Sequence, residues 1–254
     1  HGLSLIPCKS ALWLDHTGQR IGPHPLVTGF VTQEMCARLA AMEKPWSWQV
    51  LNWRIAAKEF AISGAEHNPY IREGRFLPFM KEILFGNHRL VRQMQEESDH
   101  FIVADSLDDL VARMNALDGT DDVRLDNVRN SIRTFDDNVR RGPSQWNDDQ
   151  LRRIQHARAW KSDRLRTCAP KPLLDFQPLI AIKLRVVTRK SLGGIQTDLE
   201  SRVLSSAGEP IPGLYAIGEA AGFGGGGASG KRSLEGTFLS GCVLTARAAA
   251  DAIA

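Results

Sequence analysis

The chain has 254 residues, enough for one large or two modest domains. Hydrophobic residues at 43% and charged residues at 24% exclude disordered, collagenous and coiled-coil classes. A formal charge of +3 is too small to point to nucleic acid or a membrane surface, and no apolar run approaches the ~20 residues of a membrane helix.

From the N-terminus, residues 10–20 read as a strand, a turn at Thr17-Gly18 and a returning strand. Pro23-His24-Pro25 cannot be helical. A helix is predicted over about 32–42, with Thr32 as its cap and Met35, Leu39 and Met42 at helical spacing. Residues 46–62 carry three tryptophans and an apolar run. Ser106 and Asp109 form a capping sequence that opens a short amphipathic helix. Between Val123 and Arg141, apolar positions 125, 128, 132, 135 and 139 predict a helix. Residues 86–166 hold fourteen basic and fifteen acidic side chains, so this is a solvated, charge-balanced helical surface rather than a nucleic-acid face. Leu179–Thr188 reads as one long strand, broken by Gly193-Gly194, and 198–208 as a hairpin. Pro212-Gly213 is expected to turn into Leu214–Gly218, a short apolar strand of the buried type. A last helix is expected from about Gly236 to the end.

Composition changes along the chain. All six tryptophans lie at or before Trp160, whereas thirteen of the 22 glycines lie between Ser191 and Gly241, which sets a boundary near Leu184. Cys8, Cys36, Cys168 and Cys242 have neither metal spacing nor that of a disulfide framework. They are expected to be reduced thiols of a cytoplasmic protein, with no metal site.

Two chemistries compete for the glycine-rich tail. Gly225–Lys231 matches the start of a phosphate-binding loop, but Arg232 stands where a magnesium-holding hydroxyl is required, and the preceding strand ends too early. A flavin cradle uses the same residues better. Glu219, at a strand end, offers an acceptor to sugar or ribityl hydroxyls. The glycines let backbone approach a flat ring. A helix starting near Gly236-Thr237-Phe238-Leu239 presents free N–H groups and a positive dipole end to a carbonyl that gains charge.

Ile211–Gly222 resembles the C-terminal flavin signature of the fumarate reductase and succinate dehydrogenase flavoprotein superfamily, and Leu192–Asp198 resembles the segment before it. Gly218–Gly227 with Lys231–Gly241, Leu12–Arg20, Lys58–Gly64 and Phe101–Leu110 are similar to its 3-ketosteroid dehydrogenase-like branch. The resemblance implies FAD as cofactor, a small-molecule substrate, and hydride transfer between a substrate carbon in a CH–CH unit and flavin N5. The implied fold mixes α+β and α/β: residues 1–28 end a first FAD segment, 29–184 form a substrate or cap domain, and 185–254 are the returning segment of a Rossmann-like FAD domain. The dinucleotide fingerprint with which such flavoproteins open is not in this sequence, and the chain begins at His1. It is therefore expected to be the C-terminal half, partnered by a missing N-terminal half or a second chain, and inactive in isolation. The alternative is a non-catalytic flavoprotein half that serves as a binding module.

The resemblance also assigns roles. Gly218, Glu219, Gly236, Thr237, Phe238 and Leu239 would bind the cofactor, and Gly193 and Gly194 would sit near ring and substrate. Arg232 would clamp a substrate carboxylate, with Lys190 and Arg189 as further catalytic candidates. Two departures bear on the substrate. Lys190 stands where fumarate reductases have a histidine, and only Tyr70 and Tyr215 are available for the tyrosine acid–base pair of steroid dehydrogenases.

Overall fold

A computed structural model describes residues 8–22, 37–60, 67–185, 194–222 and 237–254, with Thr237 and Phe238 described by their backbone alone. The chain divides into two compact units, His1–Val186 and Val187–Ala254, and both mix helix with strand.

The first unit is built on an antiparallel sheet with strand order β1-β2-β4-β3, formed by Leu12–Leu14, Trp46–Asn52, Phe101–Ala104 and Leu179–Arg185 in chain order. Its central pair, β2 with β4, runs in register from Trp46 opposite Arg185 to Asn52 opposite Leu179. Trp48, Val50 and Leu51 of β2 and Ile180 and Ala181 of β4 are fully buried. The predicted strand at 179–188 is thus observed to Arg185, and the remainder lies outside the described residues.

Helices follow their capping chemistry. Helix α1, Trp53–Glu59, begins where Asn52 accepts from the Ile55 N–H at 3.0 Å. Helices α2, Pro69–Arg72, and α3, Phe76–Phe85, come next, and α4, His88–Glu97, is capped by Asn87. Helix α5, Leu107–Asp118, starts at the predicted Ser106 cap, whose Oγ accepts from the Asp109 N–H at 3.1 Å. Helix α6, Leu125–Arg141, buries Val128, Ile132, Phe135 and Val139, the positions its spacing predicts. Helices α7, Asp149–Arg158, and α8, Lys161–Arg166, complete the unit. Of the helix predicted at 32–42, residues 37–40 are helical and 32–36 lie outside the described residues.

The predicted turn at Thr17-Gly18 is present and has a structural task. Asp15 Oδ1 accepts from the N–H groups of Thr17 and Gln19, and Gly18 takes a φ of 86°. The turn then docks on α6: Asn127 donates to the Thr17 carbonyl at 3.0 Å, and Ser131 donates to the Gly18 carbonyl at 3.1 Å. A Cβ on Gly18 would stand 2.5 Å from Val128 Cγ2. Gly18→Ala therefore meets both backbone strain and overpacking. It should lower the unfolding free energy of this unit by about 1–3 kcal/mol, measured by urea denaturation followed through tryptophan emission.

The second unit contains an antiparallel ribbon of β5, Arg202–Leu204, and β6, Pro210–Tyr215, a 3-10 turn at Gly218–Ala221, and helix α9, Thr237–Ile253. The hairpin expected at 198–208 is observed further along, at 202–215, its turn closed by the Ser205 N–H donating to the Glu209 carbonyl at 2.8 Å. Two expectations are corrected. The chain does not turn at Pro212-Gly213 but runs through them within β6. Nor is Leu214–Gly218 buried throughout: Ala216 and Gly218 are buried, but Leu214 and Ile217 are exposed, and among the described residues β6 pairs with β5 alone. Glu219 correspondingly lies beyond the strand, in the 3-10 turn that the positive φ of Gly218 initiates.

Candidate functional site

The C-terminal unit brings several of the sequence-selected residues together on a shelf made mainly of backbone. Its first wall is the segment entering from Gly194. A Cβ on Gly194 would stand 2.1 Å from the Gly222 nitrogen and 2.6 Å from the Ala220 carbonyl oxygen. Only glycine allows this approach. The Ile195 N–H donates to the Ala220 carbonyl at 2.9 Å, fixing the register of the two segments.

The turn itself is pinned to α9. The Gly218 N–H donates to Thr245 Oγ1 at 2.9 Å, and that hydroxyl donates to the Gly241 carbonyl one helical turn back at 2.7 Å. A Cβ on Gly218 would stand 2.9 Å from Cys242 Sγ. Ser201, at φ 64°, donates from Oγ to the Thr245 carbonyl at 3.0 Å and accepts the Ala216 N–H on its own carbonyl. Below the shelf, the Asp198 carboxylate accepts from the N–H groups of Glu200 and Arg202 and from Arg202 Nε at 2.6 Å. Burial pushes the Asp198 carboxyl upward, but the Arg202 hydrogen bonds outweigh it and hold the group below its ordinary range.

Glu219 is exposed on this turn, and its backbone carbonyl accepts the Gly222 N–H at 3.0 Å. Thr237, Phe238 and Leu239 occupy the first turn of α9, where N–H groups have no intrahelical acceptor. The Leu239 side chain is exposed. Arg189, Lys190, Gly193, Arg232 and Gly236 lie outside the described residues.

Thr245 and Ser201 were not selected from the sequence. A threonine at the middle of an alanine-rich helix was the available signal for the first. The positive φ of Ser201 has no sequence signature. The two tyrosines are in different units. Tyr215 is half-buried at the end of β6, whereas Tyr70 stacks beneath Arg75 and Arg89, 5.2 and 5.8 Å from its ring centroid. Among the described residues, no cluster of His, Cys, Asp or Glu is able to hold a metal ion, and no helix is long and apolar enough to cross a membrane.

The shelf fits a flat cofactor with a polyhydroxylated chain. It has glycine backbone where a Cβ would block approach, an exposed Glu219 on its turn, and a helix that holds that turn through Thr245. Comparison with known proteins agrees. A family profile described as "FAD binding domain" matches residues 6–239. A "KsdD-like steroid dehydrogenase" of Mycobacterium tuberculosis is 42% identical over 253 residues, which are 98% of this chain and 44% of that protein. This chain thus spans less than half the length of that curated relative. Among solved structures, a 3-ketosteroid delta1-dehydrogenase from Sterolibacterium denitrificans superimposes with a TM-score of 0.55 at 16% identity, covering 98% of this chain and 40% of the other. A flavocytochrome c3 fumarate reductase gives 0.52 at 16% identity, covering 97% and 32%. At such identity these two establish likeness of fold.

Proposed function

This chain belongs to the FAD binding domain family, and on that premise we propose that it forms the C-terminal portion of a FAD-dependent dehydrogenase. The bound flavin supplies a hydride acceptor, or donor, for a substrate carbon in a CH–CH unit. The observation that carries the reading is the Gly194–Gly222 approach, which leaves a bare backbone surface next to the Glu219 turn.

In this reading Glu219 accepts hydrogen bonds from cofactor hydroxyls. Gly218 holds the turn, and the amides of Gly236, Thr237, Phe238 and Leu239 favour negative charge at the pyrimidine edge. Gly193 and Gly194 keep the approach to the ring open. Arg232 clamps an acidic or carbonyl group of the substrate, and Lys190 or Arg189 moves the paired proton. Residues 185–254 act as the returning FAD segment, 29–184 as the substrate or cap domain, and 1–28 as the end of the first FAD segment. The dinucleotide fingerprint comes from sequence outside this chain, N-terminal to it or on a second chain. A steroid-like ring ketone is the first substrate to test, since the relatives at 42% identity are named for steroids. A cytoplasmic location belongs to the same reading, supported by the reduced thiols of Cys8, Cys168 and Cys242.

The test is dye-coupled oxidation by the full-length flavoprotein. Steroid-dependent dye reduction supports the dehydrogenase. A protein that retains flavin but reduces no dye with any ring ketone or dicarboxylate would be a binding module instead. Within the enzyme, Glu219→Ala should weaken FAD binding roughly 10- to 100-fold, the loss of about 1.4–3 kcal/mol of charge-assisted hydrogen bonding, as read by flavin fluorescence titration.

A further inference from the structure

The first unit holds a cavity that the flavin chemistry does not use. It is an open cleft of about 500 Å³ between α1, the end of α3, α7, α8 and the segment 167–177. Arg54 and Lys58, one helical turn apart on α1, lie on one side, and Arg158 and Arg164 lie on the other. No aspartate or glutamate lines it among the described residues.

The four cations are oriented but not neutralised. Arg54 donates to the Ala169 carbonyl at 2.7 Å and stacks 5.2 Å from the Phe176 ring centroid. Lys58 donates to the Ile83 and Leu84 carbonyls at 2.7 and 3.1 Å. Arg158 donates to the Thr167 carbonyl, and the Arg164 guanidinium has no partner among the described residues. These acceptors are neutral peptide oxygens, so four like charges face one volume without a counter-ion. The wall between them carries two aromatic rings, Trp53 and Phe176. Trp53 is locked by its indole N–H donating to His88 Nδ1 at 2.9 Å, with the two rings at 20°, and Phe176 lies under Arg54. Thr167 lines the same cavity at 1% exposure, and its hydroxyl has no hydrogen-bond partner.

We propose that this cavity binds a small aromatic carboxylate, its carboxylate held by the arginine forks and its ring laid against Trp53 and Phe176. Guanidinium forks match a carboxylate bidentately, and the aromatic wall accounts for the flat body. The site lies wholly in the first unit and does not depend on the flavin reading.

Calorimetric titration of the purified protein with 2-naphthoate tests it. The expected result is one-to-one binding with a Kd of about 100 μM or tighter. The neutral 2-naphthalenemethanol and inorganic phosphate should each bind at least tenfold more weakly. Arg164→Glu should weaken naphthoate at least tenfold, and since that guanidinium ties down no part of the fold, its melting temperature should stay at the wild-type value. Arg129→Ala, at an ion pair on α6 outside the cavity, should leave binding unchanged. Absence of naphthoate binding, equal binding of the alcohol or of phosphate, or undiminished binding by Arg164→Glu would each overturn the proposal.

Discussion

Glu59→Ala should destabilise the first unit by about 3–5 kcal/mol, a fall of roughly 10 °C in Tm for a unit of this size. The carboxylate is buried and accepts three hydrogen bonds: from Ser10 Oγ at 2.6 Å, from the Ser10 N–H at 3.0 Å and from the Cys168 N–H at 2.7 Å. It thereby ties the approach to β1 to α1 and to the chain after α8. Alanine leaves all three donors buried with no acceptor, each costing about 1–3 kcal/mol before relaxation. Burial pushes the Glu59 carboxyl above its ordinary range, against the downward pull of these hydrogen bonds. A raised pKa in the fold means that folding disfavours the ionised form. Its penalty is absent below the unfolded value near 4.3, grows as pH rises towards the folded value, and is constant above it. The wild type should therefore lose stability relative to Glu59→Gln as pH is raised through that window. Denaturant titrations of both proteins between pH 4 and 8 measure the difference, and parallel curves would refute the assignment.

Gly194→Ala should reduce FAD affinity by at least a hundredfold, equivalent to about 2.7 kcal/mol. The added Cβ would meet the backbone of Gly222 and Ala220 rather than a side chain able to swing away. The turn carrying Glu219 must then move, or the Ile195–Ala220 hydrogen bond must break. Either outcome displaces the Glu219 carboxylate from the bare glycine surface. The effect is confined to the second unit. All six tryptophans precede residue 161, so their emission reports on the first unit alone while flavin content reports on the second. The expected signature is lost flavin with an unchanged tryptophan melting curve. A loss of both together would mean that Gly194 matters for folding rather than for the shelf.

Several short motifs that signalled the family prove to be structural in this chain. Asp15 and Gly18 make a turn that docks on α6, Arg20 pairs with Asp148 beneath the Phe135 ring, Glu59 clasps three donors, and Ser106 caps α5. Helical periodicity found α6, because one face of that helix meets the core of its own unit. Apolar content located only part of the burial in 214–218, where Ala216 and Gly218 are buried but Leu214 and Ile217 are exposed. Apolar content signals a surface that prefers cover, but it does not say whether the neighbouring strand in the unit supplies that cover. The close approaches at Gly194 and Gly218 were legible, because glycine is restrictive where a Cβ would clash. The supports of the shelf, Thr245 and Ser201, were not, because a hydroxyl reveals its task only through the partner it reaches.

The pairing of β2 with β4 also governs the order in which the molecule is made. Trp46 must wait for Arg185, and Asn52 for Leu179. At about 5–20 residues per second, roughly ten seconds of synthesis separate the two strands. Throughout that interval β2 offers Trp48, Val50 and Leu51 with only the short β1 to cover them. The central sheet therefore closes late, around a long loop whose entropy slows it.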